Sequence, residues 1–384
     1  MEKETQSEIT KKSISRDQLL SSGSALVNLA CSDNVHGAFL PGKYYLIVGA
    51  SSAGKTWLAT SIMAESSLHS RFKDYKLIYD NIEDGNEIDL EFYFGAKTVE
   101  RIKAPRYEKE DPIYSVTVED FYDNINNAFE ETEKTGIPFI YILDSQDALT
   151  SVSEVEKSED NKKLREKGKD TTGSYGDGKA KVHSSNLRYV TSRLGRSGSI
   201  LFIISQERDD IGSMFGGSTF SGGRALTFYA SLQLWLKYQS DLKVTINGKE
   251  RIIGNIASIS IKKNRLTGQR HRDIEIPINN HFGMDDIGSC IDYLVYEKYF
   301  SDSEEEEKEE EKPKPKGRFG NKKPKPKAGK INFSELEFVG SKSALIKHIE
   351  ENNLEKKLYS IVWKCWRDIK TALSEKFARK RKYD

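Results

Sequence analysis

"GASSAGKT", residues 49–56, decides how the rest of the chain is read. It follows the apolar run "YYLIV" and precedes "WLATSIMAES", so a strand, a tight loop and a helix stand in order. In the pattern Gly-x-x-x-x-Gly-Lys-Thr, Gly49 and Gly54 let the backbone curl until its amide groups converge on a triphosphate. Lys55 reaches the outer phosphates, Thr56 offers a hydroxyl to Mg²⁺, and Ser52 belongs to the same phosphate-binding set. The helix that starts there adds the positive end of its dipole. Such loops serve kinases, transporters, helicases and recombinases, so the rest of the chain must choose among them.

The chain has 384 residues, enough for one large domain or two smaller ones. Hydrophobic residues make up 36% and charged residues 31%, a hydrophilic profile that still supplies one sizeable core. With a net charge of +1, no global field announces a nucleic-acid partner, and any such surface is local. Cys31, Cys290 and Cys365 lie far apart and form neither a disulfide framework nor a metal cluster. "MEKETQSEITKK" at the start is charged and has no apolar h-region, and the longest apolar runs are of strand length. The expectation is a soluble, cytoplasmic protein that makes no use of a membrane.

Outward from the loop, "YYLIV", "KLIYD", "FIYILD" and "ILFIIS" read as buried strands. Between them, "VTVEDFYDNINNAFEETEKTG" sets Val118, Phe121, Ile125 and Phe129 at helical spacing and ends at a glycine. Strands alternating with helices imply an α/β fold with a mostly parallel sheet covered on both faces. Near residue 230 the pattern changes to alternation with an Asn247-Gly248 hairpin signal, which predicts an antiparallel extension. Residues 301–330, "SDSEEEEKEEEKPKPKGRFGNKKPKPKAGK", read as an acidic and then Lys/Pro-rich tether. The expected division is a short segment 1–20, a core 21–300, the tether 301–330 and a small helical module 331–384 with a basic tail.

Three polar positions follow apolar strands and suit ATP chemistry. Asp144 ends "FIYILD", where a carboxylate holds the Mg²⁺ shell. In "LIYDNIEDGNE", Glu83 is a candidate base for activating water, and Asp80 and Asp84 compete for that role. Gln206 ends "FIISQ", where it either contacts a γ-phosphate or merely closes its strand. Then "IGSMFGGSTFSGGRALTFYAS" carries two glycine pairs, with Phe215 just before the first and Phe220 between them, a composition for a loop between strand and helix.

Here the chain resembles a known family. "SQERDDIGSMFGGSTFSGGRALTFYAS" is similar to the strand, second DNA-binding loop and helix of bacterial RecA recombinases. The resemblance runs from "SSGSALVNLA" near residue 21 to "GMDDIGSCIDYLV", roughly three quarters of the chain. It implies a RecA-like core in which Lys55 and Thr56 bind ATP and Mg²⁺, Asp144 supports the metal, and Glu83 is the base. It also implies that Gln206 couples the γ-phosphate to DNA. "GKAKVHSSNLRYVTSRLG" resembles the first DNA loop and its helix, placing Lys181, Ser184 and Arg188 on backbone-contact positions. In the second loop the matching positions are Arg208, Ile211, Gly212, Gly222, Gly223 and Arg224. "ISIKKNRLTG" resembles a strand end that crosses a subunit boundary, where Lys263 and Arg265 would reach the neighbour's ATP.

Asp209 and Asp210 depart from the apolar and basic residues usual there, and the segment before "SSGSAL" is shorter than the family's. The resemblance therefore implies an ATP-dependent recombinase on single- and double-stranded DNA, self-associating as a filament or ring in a bacterial or phage-infected cell. A non-filamenting recombination mediator and a hexameric helicase are the alternatives. A small-molecule kinase is disfavoured, because a polymer-binding loop stands where a lid would.

Overall fold

The computed structural model describes residues 18–83, 88–167, 177–209, 218–271, 274–300 and 330–379. Asp84, Asp210, Ile211, Gly212 and nearly all of the tether lie outside the described residues. The described chain divides into two compact units, Met1–Met284 and Asp285–Asp384.

In the first unit, Ser24 caps α1 (Ala25–Ser32) by accepting the Val27 N–H. β1 (Tyr44–Gly49) is buried throughout and leads through the phosphate loop into α2 (Lys55–Leu68). β2 (Lys76–Asn81) follows, then the short helices α3 (Leu90–Phe94) and α4 (Ala96–Val99). Edge strand β3 (Ile102–Lys103) and the small hairpin β4 (Arg106–Glu108) and β5 (Asp111–Ile113) lead to α5 (Val118–Thr135). A capping box between Thr117 and Asp120 starts α5, and Gly136 in the left-handed region stops it, as its glycine predicts. β6 (Phe139–Asp144), α6 (Val152–Glu166), α7 (Asp177–Ser197) and β7 (Ile200–Asp209) continue the alternation. Last come β8 (Ser218–Phe220), α8 (Arg224–Tyr229), β9 (Leu232–Ile246), β10 (Lys249–Asn264), β11 (Ile274–Asn279) and β12 (Gly283–Met284).

Apart from the β4–β5 hairpin, these strands form one sheet in the order β12-β11-β10-β9-β1-β7-β6-β2-β3, with β8 on β7. Pairings from β3 to β9 are parallel, and β9 to β12 are antiparallel. The switch falls within β9 rather than before it. Leu232–Leu236 are buried and pair in parallel with Tyr45–Gly49, and the strand then runs out as an antiparallel arm with β10. A strand buried on both faces reads as a continuous apolar run, which places "LQLWL" with the parallel core. The arm turns at Asn247-Gly248, both at positive φ, in a two-residue connection that matches the right-handed strand twist.

Side-chain alternation divides the core. Tyr44, Leu46, Ile78, Tyr141, Leu143 and Leu201 face α5 and α7, against Phe121, Ile125, Phe129, Leu187, Val190 and Leu194. Each such fully buried side chain contributes about 1.5–3 kcal/mol of burial. Arg193 ties the two helices together, with its guanidinium 4.6 Å from the Phe129 ring centre and Nη2 donating to Glu133 at 2.7 Å. Residues of opposite parity, Tyr45 and Phe202, join Phe39 in an aromatic cluster.

The second unit begins with α9 (Asp286–Tyr296), capped by Asp285. A small ribbon of β13 (Ile331–Phe333) and β14 (Phe338–Gly340) precedes α10 (Lys342–Glu351) and α11 (Glu355–Lys376). α9 packs on α10 and α11, with Tyr293 on Trp366 and Lys342 bonded to Asp292 at 2.7 Å. The composition break at 301 puts α9 with the core, whereas compactness groups it with the C-terminal helices. The long polar segment between them hides that partnership from a linear reading. On α11, Leu358, Ile361, Val362 and Cys365 form the buried stripe, while Leu373 is exposed.

Candidate functional site

The phosphate loop joins the carboxyl end of β1 to α2. Gly54 sits at φ 91°, in the left-handed region, and a Cβ there would stand 2.5 Å from Ile278 Cδ1. Only glycine meets both demands. Ser52 also has positive φ, and Asn255 of β10 donates to its carbonyl at 3.2 Å. Lys55 Nζ donates to the Ala50 carbonyl at 2.7 Å, inside the curl of the loop. Burial pushes the Lys55 ammonium down, and Asp144 foremost, with Glu83, opposes this.

Opposite stands Asp144, at the end of β6. Its carboxylate accepts from Thr56 Oγ1 at 3.1 Å and Tyr79 Oη at 2.7 Å. Burial raises its pKa, and those two hydroxyls pull the other way. A buried carboxylate beside a hydroxyl is a hard-oxygen pair, suited to Mg²⁺ that keeps waters and phosphate oxygens as its other ligands. Among the described residues, no cluster of three or more His, Cys, Asp or Glu could hold a metal by itself. Thr56 and Asp144 are the side chains that would hold such a metal.

Glu83 follows β2, and its Oε1 accepts from Ser145 Oγ and from Gln206 Nε2, the latter at 2.9 Å. Glu83, Asp144, Lys55 and Gln206 thus gather at one edge of the sheet. Asp80, the described competitor of Glu83, does not belong there. Its carboxylate is fully buried and accepts from Ser115 N, Ser115 Oγ and Tyr141 Oη at 3.0, 2.6 and 2.6 Å. Strand parity explains this, because Tyr79 faces the site and its neighbour Asp80 faces the core.

The DNA-contact candidates fall on neighbouring elements. Lys181, Ser184 and Arg188 share the exposed face of α7, opposite buried His183, Leu187 and Val190. Burial drives the His183 imidazole down to about 4, and Tyr122 Oη sits 2.8 Å from its Nδ1. Arg208 lies on the exposed end of β7, where it pairs with Asp147 at 3.3 Å. Gly222 and Gly223 have φ of 93° and 82°, and Arg224 is the first residue of α8. A Cβ on Gly223 would come within 2.9 Å of Ala180 Cβ, so the second loop's stem packs directly on the start of α7. Lys263 Nζ donates to the carbonyls of Thr227 and Phe228 at 2.6 and 2.9 Å, and Arg265 Nη2 to Phe228 at 2.8 Å. Both cations thereby close the last turn of α8 in their own chain. Burial, then Arg265, lowers the Lys263 ammonium to about 8.

Sequence reasoning passed over Gln146 and Asp147. Gln146 is fully buried, and Asp147 collects donors from β7 and from the second loop's stem. The clue in "DSQDAL" is the polar run Ser145–Asp147 directly after a buried strand, whose partners are remote in sequence.

The profile of the RecA N-terminal domain matches residues 127–284, a span that holds Asp144, Gln206, both loop stems and the arm. The chain is similar to bacterial RecA proteins at 27–30% identity. It is 30% identical to Protein RecA of Caulobacter sp. (strain K31) over 178 residues, 44% of each chain. It is 27% identical to Protein RecA of Bartonella bacilliformis over 290 residues, covering 73% of this chain and 71% of that one. The match to Protein RecA of Ehrlichia canis, also at 27%, covers 67% and 62%. The chain thus spans less than half the length of the Caulobacter relative. The core is a RecA-like α/β fold with an antiparallel extension. Among the described residues, no helix is long and apolar enough to cross a membrane.

Proposed function

We propose that the chain is an ATP-dependent DNA recombinase, which assembles on single-stranded DNA in the cytoplasm and promotes pairing and strand exchange with a duplex. The observation that carries this reading is the position of Gln206. Its side chain touches Glu83 beside the phosphate loop, and its strand continues into the pairing of β7 with β8, the stem of the second loop. Lys55 would hold the outer phosphates of ATP, and Thr56 with Asp144 would hold Mg²⁺. Bound ATP supplies the phosphoanhydride whose cleavage releases DNA. Glu83 takes the proton of the attacking water, and the Gln206 amide reports on the same place. Lys181, Ser184, Arg188, Arg208 and Arg224, with the glycine-freed amides, suit phosphate oxygens and read no base edge.

The rival reading, a non-filamenting mediator or hexameric helicase of RecA fold, draws on Lys263 and Arg265. Their heads are occupied by α8 carbonyls of the same chain, so a reach to a neighbour's ATP requires them to let go. Negative-stain imaging with a non-hydrolysable ATP analogue and single-stranded DNA separates the readings. Helical filaments support the recombinase, closed rings the helicase, and dispersed particles that still bind DNA the mediator.

A further inference from the structure

We propose that Asp147 is the positioning residue that joins Gln206 to the stem of the second loop, so that nucleotide and DNA affect each other through its carboxylate. This rests on the recombinase reading. The Asp147 side chain is only 4% exposed. Its Oδ2 accepts from Gln206 N at 2.6 Å, Ser205 Oγ at 2.8 Å and Gln146 Nε2 at 3.1 Å. Its Oδ1 takes the Ser221 hydroxyl and the Arg208 guanidinium. One carboxylate therefore holds the backbone of the residue whose side chain lies on Glu83, a cation of the DNA-contact set, and the stem beyond the loop.

Two further observations place this junction between the sites. Gln146 Nε2 bonds Ser205 Oγ at 2.9 Å and both Ser221 O and Ser221 Oγ at 3.0 Å, repeating the tie from beneath. A Cβ on Gly222 would stand 2.8 Å from Gln146 Oε1, a buried acceptor with no hydrogen-bond partner among the described residues. The stem thus rests on Gln146 as closely as a glycine permits. The other connection, β7 with β8, is only three residue pairs long. Beside the carboxylate, a cavity of about 390 Å³ opens between Lys179, Glu154, Arg208 and Ser221. A DNA phosphate drawn to Arg208 competes with Asp147 for the same guanidinium. Any shift of Gln206 toward a nucleotide pulls on that carboxylate, and coupling of this kind is reciprocal.

The test measures single-stranded DNA affinity of the full chain with and without a non-hydrolysable ATP analogue, using a labelled oligo-dT. Analogue affinity with and without DNA is measured in parallel. The wild-type ratio should fall in the range of about 5- to 150-fold usual for allosteric coupling. In Asp147→Asn the ratio should drop by about fivefold or more, equally in both directions, because linkage demands it. A purely structural role lowers both affinities and the melting temperature and leaves the ratio unmoved, which overturns the inference. If Asp147→Asn does not fold, Ser221→Ala carries the same test. That variant should lower the ratio, and Ser221→Thr, which keeps the hydroxyl, should restore it. An unchanged ratio in Ser221→Ala then overturns the inference. Wild-type protein that binds DNA with no response to the analogue overturns it too. Failure of the wild-type chain to bind single-stranded DNA under either condition overturns the proposed function itself, and the inference with it.

Discussion

Asp80 and Asp144 stand near the ends of neighbouring strands, paired in register with Leu143 and Asn81 respectively. Both are buried, burial raises the pKa of both, and each accepts a tyrosine hydroxyl. The difference lies in the face of the sheet they occupy. Asp80 turns toward α5, into a network closed by Ser115, Tyr141 and Asn124, where every donor belongs to the core. Asp144 turns to the edge, where Thr56 and Lys55 bring a hydroxyl and a cation that a phosphate or metal can recruit. A perturbed carboxyl is therefore no signature of a site by itself. What separates core from site is whether its partners can be traded for a ligand's atoms.

The largest expected effect tests the edge. Lys55→Ala should abolish ATP turnover while leaving the melting temperature near wild type, because the ammonium faces the loop and not the core. A steady-state ATPase assay checks this, and surviving turnover would place the activity elsewhere. Next, Glu83→Gln should slow hydrolysis by about 10²–10⁴-fold while keeping nucleotide binding, since only proton removal is lost. Hydrolysis at the wild-type rate would remove Glu83 from the mechanism.

The core side makes its own pH-dependent statement through His183, which shares the α7 face with Leu187. Its folded pKa of about 4 lies below the unfolded value of about 6.5, so the unfolded chain binds more protons between them. The stability this group contributes is fully present above about 6.5 and is lost as pH falls toward about 4. The total is about 3 kcal/mol. Urea unfolding from pH 7 to 4 should show that slope, and His183→Gln should flatten it. Asp80→Ala should cost less, about 1–3 kcal/mol, by stranding the Ser115 and Tyr141 donors. Folded Asp80→Ala protein should still hydrolyse ATP, and its failure to do so would erase the contrast between the two carboxylates.

Much of this arrangement was legible in the linear chain where local rules suffice. The strand-loop-helix at residues 44–68, the α5 stop at Gly136, and the Asn247-Gly248 turn all follow from residues near one another. Side-chain parity along "KLIYDN" already separates Tyr79 from Asp80, although it does not say which face holds the site. The parallel pairing of Leu232–Leu236 was hidden because the same strand continues as a half-exposed arm. The Asp147 junction was hidden more deeply. It is assembled from residues 146–147, 205–208 and 221, and only the closed sheet brings these segments to one point.

The smallest expected effect concerns the exposed arginines, and it sharpens the distinction between fixed and tradable partners. Arg193 is buried on Phe129 and held by Glu133, so its charge belongs to the fold. Arg188 and Arg224 are exposed on α7 and at the start of α8. Replacing either by Gln should leave stability within about 0.5 kcal/mol, as for most surface changes. Each replacement should weaken single-stranded DNA binding for all base compositions alike and reduce the slope of log affinity against log salt by about 0.7, the single-strand value for one neutralised phosphate. Arg208 differs, because its guanidinium already pairs with Asp147. A phosphate there displaces a carboxylate rather than only counterions, so Arg208→Gln should change the slope no more than Arg188→Gln and the affinity less. Titrations of oligo-dT and a mixed-sequence strand between 50 and 200 mM salt would resolve this. A loss confined to one sequence would point to base readout, and a loss in Arg208→Gln exceeding that in Arg188→Gln would show that Asp147 does not compete for the cation.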